Sequence, residues 1–327
     1  MVRRLLTLLF IFPAFIFLYS FTPGKKEVVQ KNQLKTIVID AGHGLPDGGA
    51  PGKYSYESQL ALEMAMKLGK RLEEVLPDCK IIYTRTDANL PEGMTDKNKA
   101  NRYRAEMANK NHGDLFIAIH VNSMADRYQR QKVGSRTETY FVTVGKGSKR
   151  KKVKKTRTVP VYKSYKLPCS RQGTETYIWA INKNDQKMEA IGTREADDVI
   201  GEQSDSTENF FDSPEAKILA SLRTKKFFDK SLLAANLVEE EFKKIGRPSE
   251  GVKQRNNEGI WVLQATNMPS ILVETGFICN DQEEEYLNSE KGQNEMTYAM
   301  MRAVLRYKQL VEGEGQTIIN TNSTVKN

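Results

Sequence analysis

Cysteine and histidine are scarce in this 327-residue chain, three of each. Cys79, Cys169 and Cys279 lie so far apart that their spacing encodes neither a CxxC redox pair nor a cysteine zinc cluster. Buried or free thiols are the expectation. In an oxidising compartment one disulfide would leave a third thiol over, and the spacing does not say which pair forms. The apolar run Leu5 to Leu18 contains no cysteine, which removes the attachment point for a bacterial lipoprotein anchor. Nothing in the composition suggests disorder throughout: 39% hydrophobic residues suit a folded core, and the length allows one large α/β domain or two small ones.

What is present at the amino terminus is Arg3 and Arg4 followed by that apolar run, the order of a secretory signal. Export to the periplasm or cell envelope is therefore expected, with residues 1–21 cleaved near Ser20 or retained as an anchor, since Leu5 to Phe21 nearly spans a bilayer. Cleavage leaves no membrane span. The formal charge of +9 is uneven: Met124 to Arg171 holds fifteen Lys/Arg against Asp126 and Glu138. Nucleic acid is a poor partner for this block, because export separates the two and few aromatics are available to stack bases. A solvated loop and a surface for anionic wall or membrane polymers both remain open.

After a polar linker, residues 22–35, the pattern alternates strand and helix. Thr36 to Ile39 reads as a buried strand ending in the glycine loop Asp40-Ala41-Gly42-His43-Gly44, and Tyr56 to Val75 as a helix with a broad apolar face. Ile81 to Tyr83 is a strand, Asp96 to Asn109 a helix, and Leu115 to Val121 a strand. This order predicts an α/β fold with a single open, mostly parallel twisted sheet and helices on both faces. A basic hairpin or flexible excursion, about residues 124–172, interrupts it, bracketed by the similar stretches Thr137 to Val142 and Thr174 to Trp179. Ser213 and Pro214 open a long helix to about Ile245. Trp261 to Leu263 and Ser270 to Glu274 look like strands, a last helix runs from about Lys291 to Leu310, and residues 311–327 read as a disordered tail.

Two of the histidines, His43 and His120, fall at the carboxyl ends of separate predicted strands, where open α/β sheets place their sites. Taken alone, each is better read as a turn residue or a hydrogen-bonded core residue. A catalytic zinc takes three protein ligands and leaves a fourth position open, so two histidines would need one carboxylate. The surrounding residues settle the comparison. Ile39-Asp40-Ala41-Gly42-His43-Gly44 with Asp47, Gly49-Ala50 and Tyr56-Glu57 closely resembles the opening signature of the zinc-dependent N-acetylmuramoyl-L-alanine amidases of the type-3 family. Ala118 to Ser123, Gly173 to Tyr177, Gly251 to Gln254 and Met268 to Phe277 match further motifs in the same order, so the resemblance spans Thr36 to Tyr307. Leu45 stands where such enzymes often carry a third glycine.

The resemblance implies Zn2+ held by His43, Glu57 and His120, Glu274 as the catalytic carboxylate, and peptidoglycan as substrate, cut between N-acetylmuramic acid and L-alanine. His112 matches no ligand and reads as a surface loop residue; Asp40 is a candidate for orienting a ligand histidine by a hydrogen bond, with a purely structural role at the strand end as the equal alternative. The same ligand set would serve a zinc peptidase that cuts within the stem peptide, and a non-catalytic wall-binding protein is the alternative of a different class. Ala190 to Gly201 resembles the segment that, in division-associated members, lays a helix across the site until an activator protein withdraws it. By position Glu195 is the candidate autoinhibitory zinc ligand, within a regulatory segment of about residues 185–212; a solvated helix face is the competing reading of the same residues.

Overall fold

Ile37, Val38 and Ile39 of strand β1 (Thr36–Ala41) are all fully buried. A β-branched run buried on both faces is what a parallel strand covered by helices on either side requires. The computed structural model describes residues 33–191, 214–257 and 259–320, so the amino-terminal signal, most of the linker, Glu195 with residues 192–212, and residues 321–327 lie outside the described residues. Beyond β1 the chain forms α1 (Glu57–Val75), β2 (Lys80–Tyr83), α2 (Lys97–Lys110), β3 (Leu115–Asn122), β4 (Arg127–Val144), β5 (Lys151–Leu167) and β6 (Thr174–Ile178). Then come α3 (Pro214–Lys244), β7 (Ser249–Gln254), α4 (Trp261–Ala265), β8 (Ser270–Phe277), α5 (Asp281–Asn288) and α6 (Glu290–Asn320).

Six strands make one sheet in the order β2-β1-β3-β8-β6-β7. The first four are parallel, while β6 runs antiparallel to β8 and carries β7 parallel to itself. The sheet is thus mostly parallel, with two strands reversed at one edge. Alternation along the strands sorts the core into two layers. Val38, Phe116, Ala118 and Leu272 pack with Tyr177, Trp179, Leu263 and Met268, and Phe227 and Phe228 of α3 close that layer. Ile37, Ile39, Ile117, Ile119, Ile271 and Val273 alternate with the first set and are equally buried. α1, which contributes nothing to the first layer, packs on β1, β2 and β3.

One buried lysine also holds this core. Lys187, in a helical stretch over residues 184–191, is completely enclosed. Its Nζ donates to the Leu263 and Met268 carbonyls (both 2.8 Å), to Thr266 Oγ1 (3.0 Å) and to Ser270 Oγ (3.1 Å). Burial pushes its pKa well below the usual lysine value.

Four sequence expectations are corrected. Trp261 to Leu263 is the start of helix α4 rather than a strand: Val262 and Leu263 are both buried, and so short an apolar run fits either period. β7 was not expected as a strand because its sequence, SEGVKQ, has no apolar run; it is a half-buried edge. α6 continues to Asn320 past the predicted end near Leu310, since Gly313 and Gly315 weaken a helix without breaking it as proline would. Of the three cysteines, Cys169 and Cys279 are joined by a disulfide and Cys79 is buried, a pairing that only the fold could select.

The basic block is an antiparallel hairpin of β4 and β5, forming its own two-stranded sheet. Thr137 to Val142 therefore lies within β4 and does not flank the block as a strand of the main sheet. Its register shows why so cationic a ribbon can pair. Across the ladder Lys132 faces Tyr162, Tyr128 faces Lys166, Arg136 faces Val159, Tyr140 faces Lys155, Phe141 faces Lys154 and Val144 faces Lys151. In that register no cation sits directly across from another; Arg157 faces Glu138 and donates to it at 3.0 Å. Directly opposed like charges would destabilise the pair, whereas alkyl stems lying on rings and methyl groups stabilise it.

Candidate metal centre

The site grows from the carboxyl ends of β1, β3 and β8. Register places His120 beside Glu274 on neighbouring strands, and Glu175 of β6 beside Glu274 on its other side, so the three side chains issue from one face of the sheet. The ladder shifts by an irregularity between His120 and Asn122, where β3 ends. After β1 the chain turns through Gly42-His43-Gly44 with His43 in the left-handed region (φ 59). Two glycines create the space. A Cβ on Gly42 would lie 2.4 Å from the His120 ring, and one on Gly49, itself at φ 68, would meet Glu57 Oε2 at 2.7 Å and the His43 ring at 2.9 Å.

Glu57 is the first residue of α1, where the helix dipole favours an anion. Its Oε1 lies 2.8 Å from His120 Nδ1 and 3.2 Å from His43 Nε2, while Oε2 accepts from the Ala50 amide at 2.9 Å. Burial alone would raise the Glu57 pKa, but the bonds and charges of His120 and His43 outweigh it and hold the carboxylate far below its ordinary value. For His43, burial works against the charged form, and Glu57 and Asp47 overcome it to lift the pKa to about 9. One donor atom from each of His43, Glu57 and His120 lies within 4.8 Å of the others, an arrangement able to hold a metal ion. Two imidazoles and one carboxylate, with Glu274 beside His120 on the neighbouring strand, match the donor chemistry of a catalytic zinc.

Asp47, not Asp40, bonds a histidine of this cluster: its Oδ2 lies 2.9 Å from His43 Nδ1. Asp40 accepts from Thr84 Oγ1 at 2.5 Å and pairs with Arg104. Burial would raise its pKa, yet Arg104 and Thr84 keep it below the usual carboxylate range. The correction has a steric reason, since Asp40 still belongs to the strand and its side chain follows the pleat inward, whereas Asp47 lies beyond the turn. Arg104 carries Asp40's influence onward by donating to the carbonyls of Ala41 (2.7 Å) and His43. Arg85 donates to Ala41 O (2.9 Å), Gly42 O (2.8 Å) and Ser58 O (2.7 Å). These two buried arginines fasten the histidine loop, and nothing in the sequence pattern singled them out.

Glu274 is buried, and that burial pushes its pKa up to about 7 despite the opposing charges of His120 and Arg255. Its Oε1 accepts from Arg255 Nη2 at 3.3 Å; Oε2 is buried without a hydrogen-bond partner among the described residues. Glu175 gathers Arg171, Lys253 and the Tyr177 hydroxyl, each at 2.7 Å, and Asn122 Nδ2 at 3.1 Å. His112 is exposed and takes no part.

The family model described as N-acetylmuramoyl-L-alanine amidase matches residues 37–306. The chain is 28% identical over 287 residues to N-acetylmuramoyl-L-alanine amidase AmiC of Escherichia coli, covering 87% of this chain and 55% of that protein. It is 35% identical over 123 residues to the germination-specific N-acetylmuramoyl-L-alanine amidase of Bacillus subtilis, covering 35% of this chain and 51% of that one. The chain thus spans about half the length of these two relatives. Among the described residues no helix is long and apolar enough to cross a membrane.

Proposed function

Since the chain belongs to the N-acetylmuramoyl-L-alanine amidase family, we propose that it hydrolyses the amide bond between N-acetylmuramic acid and L-alanine in peptidoglycan, using zinc at His43, Glu57 and His120. The observation that supports this most is the convergence of these three donors within 4.8 Å, with the buried, unpartnered Glu274 Oε2 on the strand beside His120. When bound, the ion supplies Lewis acidity toward the scissile carbonyl and toward water. Asp47 accepts from His43 Nδ1–H and so leaves Nε2 as the donor atom turned to the cluster. Glu274 Oε2 takes the proton of the attacking water and returns it to the leaving amine; burial, by raising its pKa toward neutrality, suits it to both transfers. Gly42 and Gly49 keep the histidine rings and the Glu57 carboxylate in close approach.

The proposal includes action on the wall after export, and restraint by Glu195 until an activator protein acts. Both rest on the sequence, the second on residues outside those described. The test of the core reading is mass spectrometry of products released from sacculi by the purified protein, with and without a chelator. Free stem peptides beginning at L-alanine, lost on chelation and restored by zinc, are the expected outcome. Fragments cut inside the stem peptide would replace the amidase with a peptidase, and chelator-resistant release would remove the metal.

A further inference from the structure

The hairpin of β4 and β5 has no counterpart in the chemistry above. Seventeen and eighteen residues long, its strands reach about 60 Å, and its residues are exposed along nearly all of both faces. A two-stranded ribbon alone in water is marginal; here Cys169, just past β5, is bonded to Cys279, just past β8, and so fastens the root of the ribbon to the main sheet.

The far end is the most concentrated part. Tyr140 to Lys155 contains seven cations, namely Lys146, Lys149, Arg150, Lys151, Lys152, Lys154 and Lys155, and no acid. Side by side with them are apolar groups that no core covers: Phe141 is 65% exposed, Tyr140 38% and Val144 36%. The register interleaves the two kinds, Phe141 with Lys154, Tyr140 with Lys155 and Val144 with Lys151. A soluble polyanion would use the cations and leave the ring of Phe141 in water. A bilayer surface of anionic phospholipid uses both, accepting rings at the depth of the headgroups while the phosphates meet the ammonium and guanidinium groups. Each cation of such a cluster adds to its attraction to an anionic membrane surface.

We propose that this hairpin tip is a docking surface for an anionic phospholipid bilayer, with Phe141 entering the interface and cations from Lys146 to Lys155 on the headgroup phosphates. The chain is then held at a membrane by a lever separate from its catalytic sheet, and this does not depend on which bond that sheet cleaves.

The full chain carrying Phe141→Trp reports on the tip itself, which matters because the apolar amino-terminal run can bind lipid on its own. With phosphatidylglycerol-containing vesicles, tryptophan emission beyond that of the wild type should shift to the blue and be quenched by brominated acyl chains. It should stay unchanged with phosphatidylcholine alone, and the shift should fade with added salt. Replacing Lys146, Lys149, Arg150, Lys151 and Lys152 by Gln in the same background should abolish the shift. Unchanged emission on anionic vesicles overturns the proposal, as does a shift that survives the five substitutions. Binding of dextran sulfate by the wild type, with no emission change on vesicles, overturns it in favour of a soluble polyanion.

Discussion

Asp47 and Glu274 show how much at the site rests on single oxygen atoms. Asp47 touches no metal donor position directly, but its bond to His43 Nδ1 sets which ring nitrogen turns toward Glu57. Asp47→Ala should lower zinc affinity by about 10- to 100-fold, measured by competition with a chromophoric chelator; an unaltered affinity would show that the loop alone orients the ring. Glu274 is buried and, among the described residues, bonds only at Oε1, to Arg255. Glu274→Gln should lose on the order of 10²–10⁴-fold in turnover while the purified protein keeps its zinc by elemental analysis. Retained turnover would remove it as the proton acceptor, and loss of zinc would make it a ligand.

Between elements, α3 and α6 are joined by one buried carboxylate. Glu241 accepts from Lys244 (2.6 Å), from Arg302 (2.9 Å) and from Arg306 (2.8 Å). Burial would raise its pKa, but these three cations lower it from the ordinary 4.5 to about 2. A carboxylate whose folded pKa is depressed contributes stability that is fully present above its unfolded value and is lost as pH falls through the folded one. The stability gap between wild type and Glu241→Gln in urea unfolding should therefore be constant above about pH 4.5 and narrow toward pH 2. A gap that does not change across that interval would mean the ion pairs contribute nothing beyond packing.

Over the whole molecule, the hairpin block carries the net positive charge and the main sheet carries the site, and the two meet where Arg171 bonds Glu175. The block with fifteen Lys/Arg and two acids is the hairpin with its flanks, whereas the groups of the site come from the histidine loop, the start of α1, β3 and, for Glu274, β8. Replacing residues 133–161 by a short Gly/Ser turn removes the outer ribbon and leaves its root and the Cys169–Cys279 bond in place. Release of stem peptides from solubilised muropeptides should stay within about twofold of wild type, because rates follow the groups at the reacting atoms. A large fall would show that the ribbon contacts the substrate.

The β-branched run before a glycine loop and the alternation of strand and helix follow from local pattern, so the sheet and its helical layers were legible in the sequence, whereas His43, Glu57 and His120 were singled out only through the resemblance of the ordered motifs to a family. Periodicity reports which faces are buried, and a motif carries its own short-range geometry. What it does not report is which distant groups meet. The Cys169–Cys279 pair, the antiparallel entry of β6, the cage around Lys187, the grip of Arg85 and Arg104 on the histidine loop, and the exchange of Asp47 for Asp40 were decided by tertiary structure. Each depends on residues tens of positions apart or on which side of a turn a carboxylate falls, and on a buried polar group having to find a partner wherever the packed chain supplies one.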